Sequence, residues 1–572
     1  MSFDSRAVSM SGEFQRIDTL PRRRWTEEEA KELAGQMTPL VRASGGTWSL
    51  LPVQAIYLRE CWSQSRRGLG VFAPMGVGSG KTLSTLLGPR VTRAPRPLLI
   101  VPASLNNDGR KQEVCDYAKQ FSFVPPPVVH TQALQGDDGL ALLESHAPTD
   151  IWIDEFHLFK NPRSKRASKL NKYLKAHPET RVYALTGTIM KRSIKDFAHV
   201  LHWCLGVESP LPIVWHVLEE WAAALDEKLS MGFVSDPGVL LDWCKPGEVD
   251  TLGPTDAARR AVGRRILETP GVIGYSLTKE HLPSTVVIEE IRLPETPKIV
   301  QAFELLRSKQ ELPDGTQLVE ALEWTRHART LPLGYWLRWK YPAPKEWLAR
   351  RRAWGSFVRE HLKGRHRLDS PDEVKKAFPE QGELKDWEEI RGTYEPETVA
   401  EWIDGSALSI CAKWLAEPGV AMTENVVFAQ ALAQVAQVPY FGAGGLDASG
   451  RPIDTYAGRS AVASFKANKE GRNLQRWGRL LFPCPPTNGP DGQQSIGRIQ
   501  RKGQTREKLL VSIGIGCAEH LANFWQMTKD SNASRNLSEN TQIILDAEIN
   551  VTRLGDEPCG PAWVRDWGRD KG

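Results

Sequence analysis

Two parts of the chain alternate short apolar runs with amphipathic helical stretches, and a third part does not. Between about 45 and 206 the runs are Gly70–Ala73, Leu98–Val101, Ile151–Ile153 and Val182–Leu185. Each is short, apolar throughout and followed by a turn or helix signal, the pattern of buried parallel strands. A second alternating region runs from about 420 to 515, with candidate strands Val426–Phe428, Leu480–Phe482 and Leu509–Ser512. Residues 207–284 are rich in Trp, Leu and Arg with helical spacing, and about 295–405 shows helical periods without a strand pattern. The prediction is an α/β protein: two similar parallel-sheet lobes, a helical linker and a helical insertion in the second lobe.

The expected boundaries are a 1–44 extension with one helix near Glu27–Met37, a first lobe 45–206, a helical linker 207–284, a second lobe 285–530 carrying the 295–405 insertion, and a 531–572 tail. The length of 572 residues allows about three to four compact units.

A glycine-rich loop, Met75-Gly76-Val77-Gly78-Ser79-Gly80-Lys81-Thr82, follows the first strand and opens a helix. In that context Gly76, Gly78, Ser79 and Gly80 expose backbone N–H groups to phosphate oxygens at a helix N-terminus. Lys81 would reach the terminal phosphates, and the Thr82 hydroxyl would ligate Mg²⁺. A glycine normally found five positions before Gly80 is Met75 here. The strand Ile151–Ile153 ends on Asp154-Glu155-Phe156-His157. Adjacent carboxylates at a strand's C-terminal edge meet the two needs of ATP hydrolysis: Asp154 for the metal and Glu155 for water activation.

These motifs resemble those of the Swi/Snf-like branch of superfamily-two helicases, over most of residues 50–530. Leu51-Pro52-Val53-Gln54 resembles the upstream glutamine motif, which implies that Gln54 reads the adenine edge. Pro102, Ala103 and Ser104 resemble a motif touching nucleic-acid backbone. Asp154-Glu155-Phe156-His157, then Lys160-Asn161 and Ser164, follow the branch's extended acidic motif. Leu185-Thr186-Gly187-Thr188 is similar to the segment coupling hydrolysis to lobe movement, although Ile189 replaces the usual proline. Ser464, Ala467, Gly471, Asn473 and Leu474 keep the spacing of the fifth motif, with Asn468 and Lys469 for its paired glycines. Gln494, Gly497, Arg498, Arg501, Gly503 and Gln504 match six of the eleven positions of the sixth. Arg264-Arg265 through Leu282-Pro283 resembles the junction between lobes.

The resemblance implies RecA-like lobes with ATP and Mg²⁺ between them, Arg498 and Arg501 serving as arginine fingers, Gly471 and Gln494 helping to bind nucleotide, and Asn473 touching nucleic acid. Cleft closure would be a hinge motion. The implied activity is ATP-driven movement along duplex or branched DNA. A strand-separating helicase on RNA or single-stranded DNA competes with it, as does a nucleotide-gated binding switch.

Composition changes this picture in one place. Net charge is only +5, but residues 324–368 hold twelve Lys or Arg against two acidic residues, interleaved with aromatics. Basic charge with aromatics suits nucleic acid, which makes Arg350, Arg351 and Arg352 candidate contacts. An amphipathic bundle with Trp inside and Arg outside reads equally well. Eight scattered cysteines without a C-x-x-C pair argue against a zinc module. With no signal-peptide core and no long apolar run, the expectation is a cytoplasmic protein. The compact build beside the resemblance points to a bacterial or phage-infected cell, and a monomer with protein partners of replication or recombination is expected.

Overall fold

The computed structural model describes residues 7–76, 79–102, 108–187, 193–226, 236–274, 284–309, 311–316, 318, 321–363, 374–375, 377–394, 397–468, 472–501, 504–538 and 542–552. The first half forms a five-stranded sheet from β1 (Val71–Pro74), β2 (Pro97–Val101), β3 (Val128–His130), β4 (Asp150–Asp154) and β5 (Arg181–Thr186). All pairings are parallel, in the order β1-β5-β4-β2-β3. Both faces are buried. Phe72, Leu98, Ile100, Ile151, Ile153 and Val182 point to one core, while Val71, Ala73, Leu99, Val101, Trp152 and Tyr183 point to the other. Burial on both faces is why these strands read as unbroken apolar runs.

The order has a consequence for chemistry. The strand leaving for the glycine loop, β1, and the strand carrying the acidic pair, β4, are not neighbours. Strand β5 lies between them, with Thr186 level with Pro74 and Leu185 level with Asp154. The C-terminal ends of all three strands meet at one edge, where parallel α/β sheets place their ligands.

The helical segment after 206 does not stand apart. Trp221, Leu225, Ala258, Val262 and Ile266 join the core under β1 and β4. The buried Arg265 guanidinium donates to the carbonyls of Ile17 and Leu20. Residues 271–273 then return to the sheet beside β1, with Phe72 N–H bonded to Gly271 O and Ile273 N–H to Phe72 O. What reads as a linker therefore completes the first lobe, because its apolar stripe needed that sheet face for burial.

The second half opens with β6 (Thr285–Arg292). Strands β7 (Tyr335–Trp339) and β8 (Thr398–Trp402) form a separate antiparallel pair within the 295–405 insertion. Strandless on its sequence pattern, the insertion is mixed: the aromatic run Tyr335-Trp336-Leu337-Arg338-Trp339 has strong β preference. Strands β9 (Val420–Thr423), β10 (Tyr440–Phe441), β11 (Ala461–Ser464), β12 (Arg479–Phe482), β13 (Lys508–Ile515) and β14 (Glu548–Asn550) join β6 in a parallel seven-stranded sheet, ordered β10-β11-β9-β12-β13-β6-β14. The two parallel sheets with flanking helices make the chain a two-lobed α/β protein.

Two further expectations are corrected here. Val426–Phe428 is the start of a helix, Val426–Ala436, and the strand lies just before it at β9. Phe428, Ala429, Leu432 and Ala433 are its buried face, and this four-residue spacing outweighs the β preference of two valines. Of the expected 531–572 tail, residues 531–538 and 542–552 are described and form elements of the fold. The helix Ala518–Ser538 runs through its start, and β14 pairs with β6.

Candidate active site at the edge between the lobes

The glycine loop leaves β1 at Met75. Gly80 has φ +71°, a left-handed conformation open to glycine, and caps the helix Lys81–Thr92. A Cβ there would meet the Gln54 amide at 2.2 Å. Gln54 itself ties two elements together. Its Oε1 accepts from Leu51 N–H and its Nε2 donates to Gly80 O, at 2.8 and 3.1 Å. The side chain expected to read adenine thus also holds the loop. Ser79 Oγ donates to Gly76 O, and Lys81 Nζ donates to the carbonyls of Met75 and Gly76.

Asp154 ends β4, buried. Glu155 follows with φ +61° and ψ +58°, unusual for a residue with a side chain. That turn brings its carboxylate under the end of β5. Thr186 Oγ1 donates to Glu155 Oε2 at 3.0 Å, and Gly187 N–H points at the same oxygen. His157 Nδ1 lies 3.2 Å from Glu155 Oε2 and 3.1 Å from Thr186 Oγ1. Since the Thr186 proton goes to Glu155, a consistent network puts a proton on His157 Nδ1. Burial pushes the Glu155 carboxyl up, but the His157 hydrogen bond and the Lys81 charge outweigh it and hold the group well below the usual carboxylate range.

From the second half, the helix Gly489–Ile499 supplies Gln494 and Arg498, both buried. Arg498 O accepts from Leu474 N–H. Arg501 donates to Arg472 O at 3.2 Å. Gln504 Nε2 donates to the carbonyls of Gln475, Trp477 and Ile499, which fixes the chain beyond the helix. These residues meet Lys81 electrostatically. Burial lowers the Lys81 ammonium's pKa, Glu155 and Asp154 oppose that, and the positive charges of Arg498 and Arg501 add to it. Five charged side chains from both lobes therefore share one field.

No family model matches the sequence, and no curated protein does. Among solved structures the chain is similar to the Sulfolobus solfataricus SWI2/SNF2 ATPase core in complex with dsDNA. The two are 16% identical, the alignment covers 87% of this chain and 94% of that chain, and the TM-score is 0.27.

Of the expected nucleic-acid residues, Pro102 follows β2 directly in a buried position. Asn473 lines an open cavity of ≈ 520 Å³ with Asp454, Gln475, Arg476, Thr505 and Arg506. Asp454 clamps this loop, accepting from Asn473 N–H and the Arg472 guanidinium. In the insertion, Arg350 pairs with Glu346 and Glu389. Arg351 pairs with Glu323 and lies against the rings of Trp339 and Trp347. Arg352 is exposed. Trp324, Trp336 and Trp347 are buried, so the aromatics mostly form a core. Gly78, Ser104 and Gly471 lie outside the described residues, as do Thr188, Lys469 and Gly503.

Sequence reading missed the joint roles of His157, Thr186 and Asp454. The first two lie within recognised motifs, yet nothing local announces that they meet at Glu155.

Proposed function

We propose that this protein is an ATP-dependent DNA translocase of the Swi/Snf-like branch, hydrolysing ATP between its lobes and moving along duplex or branched DNA. One observation carries the reading: Lys81, Asp154 and Glu155 of the first lobe share an electrostatic neighbourhood with Arg498 and Arg501 of the second. Phosphoryl transfer asks for this set, cations around the transferring group and carboxylates for metal and water.

Thr82 and Asp154 offer oxygen donors alone, as a hard divalent cation requires, and would hold Mg²⁺. The ion would neutralise charge on the phosphate oxygens. Glu155, ionised and oriented by Thr186 and His157, accepts the proton of the attacking water. Arg498 and Arg501 stabilise the charge that spreads over the transferring group. Contacts to the DNA run to phosphates, so binding is independent of sequence and sensitive to salt.

The test is ATP turnover in the presence of duplex DNA, single-stranded DNA and RNA. Duplex DNA stimulates the wild-type chain most, and Lys81→Ala or Glu155→Gln abolishes the stimulated turnover with the fold intact. Turnover near wild type in either variant refutes the assigned roles. Stimulation by RNA or single strands alone refutes the duplex assignment.

A further inference from the structure

The helix Pro52–Ser65 runs the height of the first lobe. Near its start Gln54 bonds Gly80 at the nucleotide edge, and at its end Ser65 O accepts from Arg181, the first residue of β5. Its fourteen residues span about 20 Å at ~1.5 Å each. The last turn is therefore at the edge of the sheet remote from Lys81.

An unusual arrangement sits there. The guanidinium carbons of Arg59 and Arg66 each lie 4.4 Å from the ring centre of Trp62, which is 37% exposed. Neither arginine forms an ion pair among the described residues. Beside them Arg23 lies over Trp25 at 3.7 Å and reaches Glu60 at 4.0 Å, and Arg22 pairs with Asp18 at 3.2 Å. The neighbouring helix Lys81–Thr92 runs in the same direction and ends at the same edge, where Arg93 is exposed and also outside any ion pair among the described residues. Arg67, next in line, is neutralised by Glu208.

Core packing gives no reason to set Arg59 and Arg66, neither ion-paired among the described residues, on an exposed indole. A guanidinium held over a ring keeps a fork of N–H donors, which matches a phosphate better than a flexible ammonium does. We propose that Arg59, Trp62 and Arg66 form a second DNA-backbone contact on the first lobe, away from the nucleotide cleft, which grips duplex that extends past the motor. The inference rests on the DNA reading above and adds a surface to it. A guanidinium fork fits phosphate and carboxylate alike; the DNA reading above favours the phosphate backbone, and the test decides against an acidic protein segment.

Binding of the full chain to a short duplex of about 12 base pairs and a long one of about 40 is measured by fluorescence anisotropy over a salt series. Losing two phosphate contacts lowers the slope of log affinity against log salt by about 2. The Arg59→Ala/Arg66→Ala variant is expected to show that drop on the long duplex, with short-duplex affinity, basal ATP turnover and melting temperature unchanged. An unchanged long-duplex slope overturns the proposal. So does a salt-sensitive affinity for polyglutamate that only the variant loses, which points to an acidic protein. Wild-type turnover that neither duplex stimulates would overturn the motor reading instead, and the long-duplex slope would still judge this surface.

Discussion

Thr186 Oγ1 donates its hydrogen to Glu155 Oε2 across 3.0 Å, joining the end of β5 to the residue after β4. Because β5 lies between β1 and β4, with Thr186 level with Pro74, this bond holds the acidic pair beside the strand that leads into the glycine loop. It fixes the carboxylate that the proposed chemistry uses as its base.

Thr186→Val keeps the shape and removes the donor. A hydrogen bond to a charged group contributes about 1.5–3 kcal/mol. We expect DNA-stimulated turnover to fall by about 10- to 100-fold with nucleotide binding retained. Steady-state ATPase and nucleotide titration measure the two. Turnover within twofold of wild type would detach Thr186 from the reaction.

His327 tests the insertion's core by pH. It is 6% exposed, and burial, with Arg326 adding to it, pushes its pKa down to about 4 from 6.5. The folded state resists a proton that the unfolded chain accepts. Its contribution is therefore present above pH 6.5 and lost as pH falls towards 4. The gap corresponds to about 3 kcal/mol. His327→Leu should flatten that part of the stability–pH curve, read from urea unfolding at several pH values. A curve parallel to wild type would show that His327 does not titrate this way.

Arg351 and Arg352 should separate, though they are adjacent. Arg351 bridges Glu323 and two indoles. Its replacement by alanine is expected to cost about 2 kcal/mol, seen as a lower melting temperature. Arg352→Ala should leave melting alone and weaken DNA binding modestly and salt-dependently. The reverse pattern in paired melting and anisotropy measurements would contradict the packing described.

How far these features could be read from the chain depends on their range. Strands buried on both faces, such as β2 and β4, announce themselves as apolar runs. Strand β6 breaks its pattern with Glu289-Glu290, and β11 is the small-residue run Ala461–Ser464, so neither stood out. Lys81, Asp154 and Arg498 belong to local motifs and were legible. The partners of Arg350 and Arg351 were not: Glu389 and Glu323 lie 39 and 28 residues away, and a local charge count cannot see them. The Glu155–His157–Thr186 network likewise depends on strand order, which spacing along the chain does not encode.

The helix Ala518–Ser538 belongs to both halves of the molecule. Phe524 and Met527 lie in the core under the seven-stranded sheet, whereas Ala533 joins the core of the first lobe. On a further flank, Gly489 and Gly492 let the arginine-bearing helix press close; a Cβ at Gly489 would stand 2.6 Å from Met527 O. A helix packed into both cores opposes the free hinge expected from the sequence, and any movement of one half against the other would have to shear across it.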